Sequence, residues 1–174
     1  PFTIASAGRA GQPVQFVIRA LGDYTGKLVA QVASGMTAIV HAPFGRFERP
    51  VQARREVWIA GGVGISPFIA WLDDLDARDF ERVTLFNFQT PGREFPAPQE
   101  VGGIARRRGA EYVPMSVSVE APAFQERFAQ LAREAGPGGL QVCFCGPRGL
   151  LDQVRKAMAS HQVSAANLHF EYFD

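Results

Sequence analysis

A chain of 174 residues, 47% hydrophobic and 20% charged, is long enough to bury one large or two small cores. Its 18 Lys+Arg against 17 Asp+Glu leave a formal charge of +1, which gives no electrostatic basis for holding nucleic acid or an anionic membrane surface. No apolar run reaches the roughly 18 to 20 residues that span a bilayer, and the start PFTIAS lacks a basic stretch ahead of an apolar one. The chain is therefore expected to be soluble, and its start without Met suggests a piece whose true beginning lies upstream.

Residues 1–47 contain the short β-rich segments FTIAS, VQFVIRA and MTAIVHA, punctuated by Gly8, Gly11, Pro13, Gly22, Gly35 and Pro43. They read as hairpin or barrel strands. The polar stretch Glu48 to Glu56, with Pro50, reads as a linker to a second unit over 55–174. There EVWIA forms a strand that breaks into GGVGISP. Glycines at 61, 62 and 64 serve either close backbone approach to a phosphate or a tight strand-to-helix corner. Ser66 fits an N-cap, Pro67 the first helical position, and Phe68, Trp71, Leu72 and Leu75 a helical stripe.

VTLFNF is the next strand, followed by a helix near 99–108 that ends in the solvated cluster Arg106, Arg107, Arg108. YVPMSVS is a strand, and the helix carrying Phe124, Phe128 and Leu131 stops at Gly136 and Pro137. QVCFC is a buried strand that places Cys143 and Cys145 on one face, a poor geometry for bridging to each other, which points to a reducing compartment. Leu150, Leu151, Val154, Ala157 and Met158 mark a further helix, and LHFEYF closes the chain as a strand. His41, His161 and His169 are scattered, so no metal is expected.

The alternation predicts an α/β fold: a doubly wound five-stranded parallel sheet with helices on both faces, preceded by part of an antiparallel β-barrel. Ligands of such sheets bind beyond the carboxyl ends of the strands, where strand order reverses. GGVGISP and CGPRG both lie at strand ends and open helices, whose free N–H groups suit an anion.

The order PFTIAS, GDYTGKL, APFG, GGVGISP, CGP and a terminal Glu-x-Phe resembles the ferredoxin-NADP reductase superfamily, most of all the flavin and NADPH module of ferric reductases and NADPH oxidases. The resemblance implies FAD and NADPH as cofactors. Pro1, Phe2 and Thr3 match the end of the family's flavin motif, which implies Phe2 against the isoalloxazine and Thr3 beside flavin N5. Gly22-x-x-Thr25-x-x-Leu28, with Gly26 and Lys27, matches the helix start over the FAD pyrophosphate. Ala42-Pro43-Phe44-Gly45 departs from the usual Gly-Pro-x-Gly by its first residue. Gly61, Gly62, Gly64, Ser66 and Pro67 match the loop that receives the NADPH pyrophosphate. Cys145, Gly146 and Pro147 match the motif beside the nicotinamide. Glu171 and Phe173 match a terminal aromatic lid, which would have to move as a gate.

Read as residues alone, Phe2 also fits a core aromatic, Thr25 an N-cap, Cys145 a small buried apolar residue, and Phe173 simple strand packing. The second strand ends without a carboxylate for a ribose, and Gln89 with Arg93 suits a 2′-phosphate, so NADPH is expected over NADH.

The expected function is a flavin-dependent NAD(P)H oxidoreductase with Thr3, Cys145 and Glu171 as catalytic residues. It would pass electrons to haem, ferric iron or dioxygen, the haem belonging to an upstream transmembrane domain, which puts the parent protein at the cytoplasmic face of a membrane. Two other readings stand beside it: the reductase half of a flavohaemoglobin or oxygenase system, and a non-catalytic nucleotide-binding module. Residues 1–47 supply about half of a six-stranded flavin barrel, and a half-barrel leaves open edges. The purified chain is accordingly expected to bind FAD poorly. Stoichiometric flavin absorbance in the purified chain would overturn this.

Overall fold

The structure is a computed structural model that describes residues 2–20, 22–41, 44–50 and 53–173. Residues 2–47 contain the helix α1 (Asp23–Gln31) and one antiparallel bridge, Ile4 to Phe16. Around that bridge, the Ala5 N–H donates to the Gln15 carbonyl at 2.8 Å and the Gln15 N–H to Ser6 Oγ at 3.0 Å. The strands expected from FTIAS, VQFVIRA and MTAIVHA do not form regular ladders among the described residues. Their composition suits strands, but a pair of strands needs further neighbours to hold a ladder. Here they have few.

From residue 55 the alternation seen in the sequence is realised. The elements are β1 (Arg55–Gly61), α2 (Ser66–Asp73), β2 (Val83–Phe88), α3 (Pro98–Arg108), β3 (Glu111–Met115), α4 (Pro122–Ala135), β4 (Leu140–Pro147), α5 (Arg148–Ser160) and β5 (Leu168–Phe173). The strands are parallel in the order β3-β2-β1-β4-β5, so the direction of winding reverses between β1 and β4. Central strands buried on both faces need apolar side chains at every position. On one face Trp58, Ala60, Leu85, Cys143 and Cys145 pack against Phe68 and Leu72 of α2 and Val101 and Ala105 of α3. On the other, Val57, Ile59, Phe86 and Phe144 pack against Phe124, Phe128 and Leu131 of α4 and Leu151 and Val154 of α5. Gly136, at φ +71°, ends α4 as read from the sequence.

Four local readings change. Leu75 lies beyond α2 and is exposed, because Asp74 turns extended and its Oδ1 takes the Asp76 N–H at 3.0 Å. Ser66 is the first helical residue rather than the N-cap, because a 3-10 turn over Gly62–Ile65 precedes it. Arg108 is folded inward: it lies 4.7 Å from the Phe80 ring and donates to the Asp74 and Ala77 carbonyls at 2.6 and 2.9 Å. Within the segment read as a linker, Arg49 is packed down, paired to the buried Glu56 at 2.8 Å.

Glu111 opens the edge strand β3 and is tied to its neighbours. Thr84 Oγ1 donates to its Oε2 at 2.8 Å, and Arg127 of α4 pairs with the same oxygen. Burial pushes the Glu111 carboxyl up, but the hydrogen bonds from Arg127 and Thr84 and the nearby cations hold it below its ordinary value of 4.5. A lowered folded pKa means that this contribution is complete above the ordinary Glu range and is lost as pH falls through the folded value. Glu111→Gln should lower stability at pH 7 by under about 1 kcal/mol, since the pair is partly exposed. In urea melts the gap from wild type should close as pH drops below 4.5.

Candidate functional site

At the switch between β1 and β4 two loops meet backbone to backbone. A Cβ on Gly64 would collide with the Cys145 carbonyl oxygen and lie 2.6 Å from its carbon. One on Gly61 would lie 2.7 Å from Pro147 Cδ, and one on Gly146 3.0 Å from the Gly61 nitrogen. These three glycines are required by the contact between loops. Gly62 is different: its φ is +55° and nothing lies within 4 Å of where its Cβ would be. It is the glycine of the loop that leaves room for something else. Ser66, 1% exposed, donates its hydroxyl to the Val63 carbonyl at 2.8 Å and so holds the 3-10 turn closed.

Over this junction, beyond the carboxyl ends of the strands, lies a cleft of 450 Å³. Gly61, Gly62, Gln89, Arg93, Pro147 and Phe173 line it, six of the residues singled out in the sequence. Arg93 owes its place to a turn over Thr90-Pro91-Gly92-Arg93. Proline presets the second position, Gly92 takes φ +74°, and the Arg93 N–H closes on the Thr90 carbonyl at 3.0 Å. Gln89 braces the same loop, its Nε2 donating to the Pro96 carbonyl at 3.0 Å.

The cleft also takes in Arg19, Phe88, Thr90, Ser116, Ser118 and Leu150. Ser116 and Ser118 follow the third strand, and the strand-end rule could have flagged them. Arg19 comes from the N-terminal segment, and only tertiary structure brings it there. Among the described residues no carboxylate lines the cleft, and neither Arg19 nor Arg93 has a side-chain partner for its guanidinium. An unneutralised pair of cations in a concave site attracts anions.

The remaining candidates lie off this surface. Cys145, Gly146, Gly64, Ser66 and Pro67 do not line the cleft; all five are buried beneath it. Burial, helped by the charge of Glu171, pushes the Cys145 thiol up to about 12, so it is protonated at neutral pH. Burial raises the Cys143 thiol too. Glu171 pairs in register with Cys145 and is exposed, off the cleft lining that holds Phe173. Phe2 is exposed and Thr3 half-buried, both outside the cleft. Gly22 is the N-cap of α1, and Thr25 sits three residues inside, its Oγ1 accepting the Gly22 N–H at 3.1 Å. Gly26 and Lys27 follow on this helix, which buries none of its residues. Pro1, and Ala42 and Pro43 of the APFG motif, lie outside the described residues.

No family model matches the chain. It is 29% identical, over 143 residues, to the carnitine monooxygenase reductase subunit of Escherichia coli (strain K12), covering 82% of this chain and 42% of that protein. It is 24% identical to the 2-halobenzoate 1,2-dioxygenase electron transfer component of Burkholderia cepacia, covering 92% and 50%. The chain thus spans about half the length of the curated relatives it matches. Among solved structures, the flavohaem-like FAD/NAD-binding domain of nitric oxide dioxygenase from Vibrio cholerae O1 biovar El Tor superposes with a TM-score of 0.77 at 21% identity, over 99% of this chain and 76% of that one. A ferredoxin NADP+ reductase from Neisseria gonorrhoeae with bound FAD and NADP superposes with a TM-score of 0.66 at 16% identity, over 98% and 78%.

The chain carries the ferredoxin-NADP reductase fold. In this ferredoxin-NADP reductase fold the glycine loop after β1 and the Cys-Gly-Pro turn after β4 form one interlocked floor. Gly64→Ala should cost about 2–3 kcal/mol, the range of overpacking against a backbone that cannot move. Gly62→Ala should cost only about 1–2 kcal/mol, from its left-handed backbone. Urea unfolding of the two variants checks the order; equal losses would mean that Gly64 is not in contact with Cys145.

Proposed function

We propose that this chain is the NADPH-binding unit, with part of the FAD-binding unit, of an electron-transfer flavin oxidoreductase. The observation that supports it most is the cleft at the switch point, which among the described residues has two unpaired guanidiniums and no carboxylate, with the open backbone of Gly62. A dinucleotide fits this donor set. Its pyrophosphate can approach the chain at Gly62, where no side chain intrudes, and Arg19 and Arg93 offset phosphate charge. Arg93 is the residue for a 2′-phosphate, supported by the Ser116 and Ser118 hydroxyls and by the lack of a carboxylate among the described residues that line the cleft.

When bound, nicotinamide and flavin supply the redox chemistry, and the protein supplies position and surroundings. Cys145, held protonated, gives the floor a neutral thiol rather than a competing nucleophile. Phe173 lines the cleft at the end of β5 and serves as its aromatic cover, with Glu171 beside Cys145 on the same strand. Phe2 and Thr3 are assigned to the isoalloxazine, and Gly22, Thr25, Gly26 and Lys27 to the FAD pyrophosphate. The division into a partial flavin barrel over 1–47 and a nucleotide domain over 55–174 belongs to the same reading.

The relatives are reductase and electron-transfer components of oxygenases, and one structural neighbour is the flavohaem-like FAD/NAD-binding domain of a nitric oxide dioxygenase. They favour an oxygenase or globin haem as the electron acceptor. An upstream transmembrane haem domain rests on the ferric reductase motifs alone; among the described residues no helix is long and apolar enough to cross a membrane.

Titrating NADPH and NADH into this chain should show tighter binding of NADPH. Arg93→Ala should weaken NADPH about 10- to 100-fold, the worth of charge-assisted hydrogen bonds, and leave NADH within about 2-fold. Equal affinities in the wild type would overturn the NADPH assignment. Failure of either nucleotide to reduce flavin in the full-length protein would leave the non-catalytic binding module as the reading.

A further inference from the structure

The segment between the two units is anchored at the sheet by an arrangement that an ordinary linker does not need. Arg49 grips the carboxylate of Glu56 with both arms, Nη2 to Oε1 at 2.8 Å and Nε to Oε2 at 2.9 Å. Glu56 is 2% exposed and also accepts from Trp58 Nε1 at 3.0 Å. The guanidinium lies 4.5 Å from the Phe80 ring and 5.4 Å from that of Trp58, and donates to the Arg78 carbonyl at 2.8 Å. Two residues earlier, Phe47 stacks on Trp71 at 5.0 Å and meets Phe68 edge-on at 6.0 Å, both on α2. The helix that carries those rings begins where the glycine loop of the cleft ends.

Arg19, from the N-terminal unit, lines the cleft, so the cleft is built across both units and its shape depends on how residues 2–45 are held. Those residues also meet α2 at Asp73, which accepts from the Ala7 N–H at 2.9 Å and from Arg9, but at exposed positions. Exposed polar contacts are weak, whereas a partly buried, ring-stacked guanidinium held bidentately by a buried carboxylate resists displacement. The Arg49 contact therefore fixes the point at which the N-terminal segment joins the nucleotide unit.

We infer that Arg49, with Phe47, is a positioning element that fixes the flavin-side unit against the nucleotide cleft, so that its loss slows cofactor-to-cofactor transfer without weakening nucleotide binding. This rests on the proposed reductase function. Removing Arg49 alone would strand the buried charge of Glu56 and unfold the chain for an uninformative reason. The test therefore uses two variants of the full-length protein: Phe47→Ala, which keeps the ion pair, and Arg49→Met with Glu56→Gln, which removes both charges and leaves an acceptor for Trp58.

Both should bind NADPH within about 2-fold of wild type, reduce flavin at least about 10-fold more slowly in stopped flow, and become open to trypsin within residues 46–55. Wild-type reduction rates in both variants, with the segment newly open to trypsin, would overturn the inference. So would a loss of rate matched by an equal loss of NADPH affinity. A wild-type protein whose flavin NADPH does not reduce would overturn the reductase reading, and the inference with it.

Discussion

The absence of a side chain between Gly64 and Cys145 is the constraint on which the site depends. Because the two backbones touch there, the loop after β1 and the turn after β4 behave as one rigid piece, and the helices that follow both start from it. A larger residue at 64, 61 or 146 would separate the loops and with them the two central strands. Among the glycines of the loop Gly62 alone has open backbone, since Gly61 and Gly64 are packed against the turn after β4. The sequence pattern does not distinguish a glycine needed for packing from one that leaves open space.

Charge placement follows from the same geometry. The chain is nearly neutral as a whole, yet the cleft collects Arg19 and Arg93 while carboxylates such as Glu56 and Glu111 are engaged elsewhere, with Arg49 and with Arg127. Local polarity of this kind cannot be seen in net charge. It arises because the turn after β2 and the N-terminal segment converge on one strand end.

The sheet was legible because buried parallel strands announce themselves as apolar runs and their helices by a 3.6-residue period. VTLFNF and LHFEYF match their strands residue for residue, and the stop at Gly136 falls where the glycine stands. What stayed hidden depended on partners distant in the chain. Glu48 to Glu56 is polar and contains Pro50, so it resembles a free linker; that Arg49 is covered by Phe80 and Glu56 by Arg49 is a tertiary fact. Arg19 reaches the cleft only through folding. The N-terminal segments have strand-like composition, but strands are defined by pairing, and composition does not supply a partner.

Pro114 lies on the edge strand β3, in register with Asn87 of β2. A parallel sheet with an open side invites a second chain to add its own strand there, and proline removes one of the donors that such an addition needs. At that margin the missing donor works against a backbone-to-backbone addition of another strand.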